Sequence, residues 1–168
     1  LLHASERFHE AHSEFAALGI KATVELDLPA MMARKDKVVG ELTKGVEFLF
    51  KKNKIEWIKG AARLTGGLGV EVTLHDGTRQ SLAATMEIIV ATGSTPRALP
   101  GVAIDNVRLL DNAGSLALTE VPKRLGVVGA GVIGLELGSV WRRLGAQTTV
   151  LEALPAFLGA ADEAVAKE

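Results

Sequence analysis

The chain has 168 residues, of which 48% are apolar, enough to build the core of one ordinary domain or two small ones. Aromatic residues make up only 4% and tyrosine is absent, which argues against a surface that binds sugars or single-stranded nucleic acid by ring stacking. The net charge of −1 gives no global electrostatic reason to expect binding to nucleic acid or to an anionic membrane. No apolar run reaches the roughly 20 residues that span a bilayer. The lack of cysteine excludes disulfides, thiolate zinc sites and thiol catalysis within this segment.

The first predicted element is a helix over residues 1–18, ending at Gly19, which stands where a C-terminal cap belongs. His9 and His12, three apart on this helix, are either half of a metal site or two solvated positions. The second interpretation is favoured because no further ligand follows at a useful spacing. Since the chain opens inside this helix without Met and closes on a further helical pattern at 161–168, we expect an interior piece of a longer protein. The apolar residues that recur at helical spacing are Leu1, Leu2, Phe8, Phe15 and Leu18.

Asp27-Leu28-Pro29 predicts the start of a second helix, because a polar cap and an early proline are typical of helix N-termini. This helix is expected to run to Asn53. Its basic end suits the negative pole of the helix dipole, so a solvated helix end is favoured over a phosphate or partner patch. The lysines of this end are Lys51, Lys52 and Lys54, and the apolar side of the helix is Met31, Val38, Leu42, Val46 and Leu49.

The hydrophobic period changes over residues 55–90, where apolar and polar residues alternate as in short antiparallel strands separated by glycine-containing turns. Glu87–Ala91 is a short apolar run, which predicts a strand buried on both faces. Residues 94–104 contain two prolines and a glycine and predict a linker. We therefore place a domain boundary between residues 104 and 105. The alternating apolar residues are Ile55, Trp57, Val70, Val72 and Leu74.

A strand, turn, helix and strand are predicted in the last third of the chain. Arg124–Val128 is the first strand, a helix follows, and Gln147–Leu151 is the second strand, with Glu152 at its tip. Between the first strand and the helix lies Gly129-Ala130-Gly131-Val132-Ile133-Gly134, a GxGxxG motif. In this context the motif predicts a dinucleotide-binding unit. The alternative is a tightly packed turn that binds nothing.

Each glycine of the motif has a physical reason. Gly129 makes the tight turn, Gly131 lets a pyrophosphate approach the backbone, and Gly134 allows the helix to lie against the strand. The helix N-terminus adds N–H groups and a positive dipole end that attract phosphate. A carboxylate at Glu152 accepts hydrogen bonds from ribose hydroxyls and repels a 2′-phosphate, which favours NAD over NADP.

The segment from Gly129 to Gly138 resembles the NAD-binding motif of the dihydrolipoamide dehydrogenases, which are flavin-dependent pyridine nucleotide-disulfide oxidoreductases of the 2-oxo acid dehydrogenase complexes. The resemblance covers essentially the whole chain. It implies an α/β Rossmann-type FAD/NAD(P)-binding fold. Residues 1–104 would be the later part of an FAD-binding domain, with an antiparallel meander and a returning parallel strand. Residues 105–168 would be the N-terminal half of an NAD-binding domain. Further family-like segments follow in the same order: Leu1–Ser5, Arg34–Val39, Leu42–Gly45, Asn53-Lys54 and Ile88–Ser94.

The resemblance also implies the roles of individual residues. The glycine loop would bind the NAD pyrophosphate, Glu152 the adenosine ribose, and Ile133 would lie at the nicotinamide pocket. Glu136 would lie near the nicotinamide and the flavin, with a buried structural carboxylate as the alternative. Ala62 would contact FAD through its backbone, where many relatives have glycine. The implied NAD residues are Gly129, Ala130, Gly131, Val132, Ile133, Gly134, Glu136 and Glu152, and the implied FAD residues are Ala62, Thr92, Gly93 and Ser94.

The family's paired cysteines, its first FAD-binding glycine motif and its C-terminal His/Glu base are absent from this sequence. The resemblance therefore implies a full-length homodimeric enzyme that oxidises dihydrolipoamide, carried on an acyltransferase component, through an enzyme disulfide and FAD to NAD. This enzyme would work in a bacterial cytoplasm or the mitochondrial matrix, with no nucleic-acid, membrane or metal partner. The present segment would supply the NAD site and part of the FAD site but no catalytic residue. The alternatives are another flavin disulfide reductase, of the mercuric or glutathione type, and a catalytically silent nucleotide-binding module.

Overall fold

The computed structural model describes residues 1–155, 158–159 and 161–167. The chain forms two compact units. The first unit comprises Leu1–Val38 and Pro96–Glu168, and the second unit comprises Val39–Thr95. The domain boundary expected between residues 104 and 105 stays a prediction.

The first predicted helix is confirmed, although its geometry changes along its length. Helix α1 spans Leu2–His9, and the chain continues as a π-helical turn over Glu10–Glu14 and a 3-10 turn over Phe15–Leu18. Gly19 ends it with a φ of +76°, the left-handed conformation that glycine adopts without steric cost.

Helix α2, Leu28–Lys52, matches the second predicted helix. Asp27 begins it by accepting a hydrogen bond from the N–H of Ala30 at 2.9 Å, the expected side-chain cap. Leu28 is buried, but most of the predicted apolar side of α2 is exposed to solvent, with Leu42 at 67% exposure. No helix in the described ranges is long and apolar enough to cross a membrane.

The predicted antiparallel strands form a three-stranded meander in the second unit. Strands β1 (Gly60–Gly66), β2 (Gly69–Leu74) and β3 (Arg79–Ala83) pair in chain order, and Val72 of the central strand is buried. Ile55 and Trp57, which were expected to belong to a strand, precede β1 and lie outside the sheet.

The strand expected at Glu87–Ala91 is wrong. These residues have no strand conformation, and Ile89 is 87% exposed. The strands found in the described residues form the meander and one two-stranded sheet, and neither sheet includes this segment. A strand needs a neighbour to satisfy its N–H and C=O groups, so an apolar run alone does not form one. The returning parallel strand of the expected fold is therefore not formed.

The predicted strand–helix–strand unit is confirmed. Strand β4 (Arg124–Val128) and strand β5 (Gln147–Leu151) are parallel, with Arg124 opposite Gln147, and helix α4 (Val132–Arg143) connects them. Gly145, with a φ of +114°, ends the helix. Its N–H donates to the carbonyl of Arg142 at 3.0 Å, and the N–H of Ala146 donates to the carbonyl of Trp141 at 2.9 Å. These two bonds form a Schellman cap.

The core of the first unit lies around α4. Trp141 is fully buried, and its Nε1–H donates to the hydroxyl of Ser115 at 3.0 Å, which satisfies both polar groups. Ser115 ends the short helix α3, Asn112–Ser115. The expected helix near the end of the chain is present as α5, Glu163–Lys167, while Glu168 lies outside the described residues. The buried cluster is Leu28, Val140, Trp141, Leu144 and Ala146.

Candidate dinucleotide-binding site

The glycine loop, residues 129–134, leads from the carboxyl end of β4 into α4. Gly129 has a φ of +97°, so a side chain at this position would be strained whatever the surrounding space. Its N–H donates to the carbonyl of Leu151 at 2.7 Å, which joins the start of the loop to the end of β5. The chain thereby turns sharply from the sheet into the helix.

Gly131 is the N-cap of α4 and faces open space. A Cβ built on it would meet no atom within 4 Å, and no side chain caps the helix at this end. The N–H groups of the first helical turn have no partner within a helix, and the dipole makes this end positive. Val132 and Ile133, the first two helical residues, are 57% and 58% exposed. The combination is an accessible site for an anion that approaches the backbone closely.

Gly134 brings the helix against the strand. A Cβ at this position would lie 2.6 Å from the carbonyl oxygen of Gly129 and 3.0 Å from Cγ1 of Val127. One turn later, a Cβ at Gly138 would lie 3.3 Å from Cγ2 of Val127. The backbone contact at Gly134 therefore requires a residue without a side chain for α4 to approach β4 this closely, and the approach fixes the position of the helix N-terminus.

Glu152 lies at the end of β5 beside the loop. Its Oε2 accepts a hydrogen bond from the N–H of Ala130 at 2.7 Å, and its Oε1 accepts one from the N–H of Leu154 at 2.8 Å. The bond from Ala130, followed by that from Leu154, lowers the pKa of Glu152 below its ordinary value. The side chain is therefore a carboxylate at neutral pH, next to the open N–H groups.

The remaining candidate residues on α4 are accessible. Ile133 is 58% exposed, and Glu136 is exposed one turn further along the helix. A buried structural carboxylate, the alternative considered for Glu136, is not what the structure shows. The placement of both residues beside a nicotinamide stays a prediction.

The candidate FAD residues lie in the second unit. Ala62 is in β1, opposite Val72 in the sheet register, and is exposed. Thr92, Gly93 and Ser94 are exposed and irregular, and Gly93 has a φ of +79°. Their contact with a flavin nucleotide stays a prediction.

Two clefts of the first unit lie away from the glycine loop. One open cleft lies at the far end of α4 beside His9 and Arg143, and a second lies beside Lys35, whose Nζ donates to the carbonyl of Leu116 at 2.9 Å. The loop instead lies at the carboxyl end of β4, where Val132 and Ile133 are exposed, in a sheet that has two strands within the described residues. Ligands of open α/β sheets bind outside the carboxyl ends of the strands, which is where this loop lies.

The two histidines of the first helix have other neighbours. Nε2 of His9 lies 3.9 Å from Oε1 of Glu14, and the ring of His12 stacks on Phe8 with a centroid separation of 5.9 Å. In the part of the chain that the structure describes, no group of three or more His, Asp or Glu side chains is placed to hold a metal ion.

Two polar contacts of this unit have no sequence signal of their own. The motif predicts that Ala130 lies in a turn, but the hydrogen bond from its N–H to Glu152 depends on the tertiary position of β5. The buried pair of Trp141 and Ser115 joins residues 26 positions apart, and no periodic pattern specifies such a pair.

Comparison with known proteins identifies the family. The model of the pyridine nucleotide-disulphide oxidoreductase family matches residues 1–168. The chain is 61% identical over 155 residues to dihydrolipoyl dehydrogenase 3 of Pseudomonas aeruginosa, covering 92% of this chain and 33% of that protein. It is 50% identical over 169 residues to the mitochondrial dihydrolipoyl dehydrogenase of Dictyostelium discoideum, covering 100% of this chain and 34% of that protein.

The fold is also found among solved structures. LpdA of Mycobacterium tuberculosis superposes with a TM-score of 0.84 at 24% identity, over 99% of this chain and 36% of that one. The present chain spans about a third of the length of the curated relatives that it matches. The α/β fold class and the resemblance expected from the sequence are both confirmed. The chain belongs to the pyridine nucleotide-disulphide oxidoreductase family.

Proposed function

We propose that this chain supplies the NAD site of a dihydrolipoyl dehydrogenase. The observation that carries the proposal is the glycine loop, with its open helix N-terminus, lying beside the ionised carboxylate of Glu152. Similarity to the dihydrolipoyl dehydrogenases of Pseudomonas and Dictyostelium supports the choice of enzyme within the family.

The residues of the loop fit a dinucleotide pyrophosphate. The space in front of Gly131 is free where a Cβ would otherwise project, and the N–H groups of the first turn of α4 face an approaching anion. These groups would hold the two phosphates, while Glu152 would accept hydrogen bonds from the adjoining ribose and repel a 2′-phosphate. We therefore infer that NAD rather than NADP is bound. NAD, when bound, supplies the hydride acceptor, and the protein fixes its position and orientation.

The second unit would contribute one wall of the FAD site. Thr92, Gly93 and Ser94 present accessible backbone, and the positive φ of Gly93 allows a close turn there. Ala62 adds an exposed position on β1, where a backbone contact tolerates a methyl group. FAD, when bound, would pass electrons between an enzyme disulfide and NAD, and this chain, which contains no cysteine, would hold the flavin nucleotide without carrying out the dithiol step.

The wider setting follows from the same proposal. The dithiol substrate would be dihydrolipoamide on an acyltransferase component, and the full-length enzyme would be a homodimer. It would work in a bacterial cytoplasm or in the mitochondrial matrix, since relatives of both origins are similar to this chain. Residues 1–104 would belong to the FAD-binding domain and residues 105–168 to the NAD-binding domain.

The full-length protein that contains this segment tests the proposal. We expect a yellow preparation whose flavin absorbance falls when dihydrolipoamide is added anaerobically and returns when NAD is added, with NADH as product. Oxidised glutathione with NADPH is the control pair for the other disulfide reductases. A protein that reduces glutathione and ignores dihydrolipoamide, or that binds no flavin, would overturn the assignment.

A further inference from the structure

The glycine loop is fastened to the end of β5 by two adjacent hydrogen bonds. The N–H of Gly129 donates to the carbonyl of Leu151 at 2.7 Å, and the N–H of Ala130 donates to Oε2 of Glu152, also at 2.7 Å. The second bond is made by a side chain whose other oxygen is itself held, by the N–H of Leu154 at 2.8 Å. Both oxygens of the carboxylate are thus held by backbone N–H groups.

The bond from Ala130 matters because of where that residue lies. Ala130 is only 1% exposed, so its N–H depends on an acceptor inside the structure. It stands between two glycines of the loop, Gly129 and Gly131, whose backbones have wide conformational freedom. Without the carboxylate, the segment would keep its glycine flexibility and lose the acceptor that selects one conformation.

We propose that Glu152 is a positioning residue for the phosphate-binding loop as well as a contact for the ribose. Its carboxylate holds the N–H groups at the start of α4 in the arrangement that receives the pyrophosphate, before the nucleotide arrives. This inference deepens the proposed function and rests on it to the extent that a dinucleotide pyrophosphate is the ligand of the loop.

One carboxylate has enough acceptor capacity for both roles. Its two oxygens together offer about four acceptor positions, and two of them are used by the backbone. Acceptor capacity therefore remains for an adenosine ribose hydroxyl. A carboxylate held in this way also cannot swing aside to admit a 2′-phosphate, so the same bonds that fix the loop strengthen the discrimination against NADP.

A cycle of two ligands and three proteins separates the two roles. The proteins are the full-length enzyme and its variants Glu152→Ala and Glu152→Gln. The ligands are NAD and an NAD analogue whose adenosine ribose lacks both hydroxyls. Titration calorimetry on the FAD-loaded proteins gives the six dissociation constants. The glutamine keeps one oxygen that can accept from Ala130, while its NH2 group cannot accept from Leu154, so it is the control for the Ala130 contact alone.

If Glu152 acts only through the ribose, the deoxy analogue binds wild type and Glu152→Ala equally. We expect instead that Glu152→Ala weakens the binding of the analogue about three- to ten-fold, the effect of losing one hydrogen bond that positions the site. Glu152→Gln should bind the analogue within about two-fold of wild type while losing affinity for NAD. Equal binding of the analogue to wild type and Glu152→Ala would overturn the inference.

Amide hydrogen exchange without nucleotide gives an independent measurement. The peptide containing residues 129–134 should exchange faster in Glu152→Ala than in wild type or Glu152→Gln, and equal rates would contradict a role in fixing the loop. If the alanine variant does not retain FAD, Glu152→Asp replaces it, because aspartate keeps the charge but is one methylene too short to reach Ala130. If no protein binds NAD, the proposed function fails, while the exchange comparison still decides whether the side chain fixes the loop.

Discussion

The contact between α4 and β4 gives a sharp prediction for Gly134→Ala. The added Cβ would lie 2.6 Å from the carbonyl oxygen of Gly129, a backbone atom that cannot rotate away, and 3.0 Å from Val127. The start of α4 must therefore move by several tenths of an ångström. Overpacking of this kind costs up to about 3 kcal/mol. Alanine regains about 1 kcal/mol of helix propensity relative to glycine, which leaves a net loss of about 2 kcal/mol.

Gly131→Ala is the matched control, because it adds the same methyl group three residues earlier in open space. Its φ of −80° is accessible to alanine. The cost of a poorer N-cap, about 0.5–1 kcal/mol, is nearly cancelled by the lower entropy of the unfolded chain, so the stability of the protein should hardly change. The methyl group would, however, enter the space through which the pyrophosphate approaches, and the dissociation constant for NAD should rise at least about ten-fold, or about 1.4 kcal/mol.

Thermal unfolding and NAD titration of the two full-length variants check these expectations together. Gly134→Ala should unfold at a lower temperature than wild type, and Gly131→Ala should not, while both bind NAD more weakly. A Gly134→Ala protein as stable as wild type would refute the packing argument. A Gly131→Ala protein with unchanged NAD affinity would refute the role given to the open space at the helix N-terminus.

Further predictions concern buried, capping and ionised groups. Trp141→Phe leaves the Ser115 hydroxyl unpaired and should lower the free energy of unfolding in urea by about 1–3 kcal/mol. If Trp141→Phe costs the same stability in a protein that already carries Ser115→Ala, the bond does not contribute as argued. Asp27→Ala removes the N-cap of α2 and should cost about 0.5–2 kcal/mol, with Asp27→Asn close to wild type; equal stability of all three proteins would disprove a capping role. The hydrogen bond from Ala130, and then that from Leu154, lower the pKa of Glu152. The side chain is therefore ionised at and above the ordinary pKa of a glutamate and takes up a proton only at lower pH. The ratio of NAD affinities of wild type and Glu152→Gln should therefore be constant from about pH 5 to 8, and a titration step within that range would contradict it.

The sequence predicts the elements that carry their own signals. The cap at Asp27 and the glycine at Gly19 fix the beginning of one helix and the end of another, because capping depends on residues adjacent in the chain. The strand expected at Glu87–Ala91 fails for the opposite reason. A run such as Ile88-Ile89-Val90 indicates a preference for burial, but the strand itself requires a neighbouring strand, and the described chain provides none for it.

The candidate site shows the same division between local and tertiary information. The turn, the helix N-terminus and the acidic residue after the second strand were predictable, since each is specified within a few residues of the motif. The bond between Ala130 and Glu152 was not, because its partners lie 22 positions apart and meet only when β5 pairs with β4. The pattern therefore identifies the residues that would contact a nucleotide but not the contacts that hold those residues beforehand.

The three glycines of the motif are equivalent in a pattern search but not in the structure. Gly129 is required by its positive φ and Gly134 by the close backbone contact, so both are needed to fold the turn even if no ligand binds. Gly131 has an ordinary φ and open space in front of it, so the fold alone gives no reason to exclude a side chain there. A packed turn without a ligand accounts for two of the three glycines. A group that approaches the backbone from outside, as we propose for the pyrophosphate, would explain the third. Gly131 is therefore the position that best separates a nucleotide site from a structural turn.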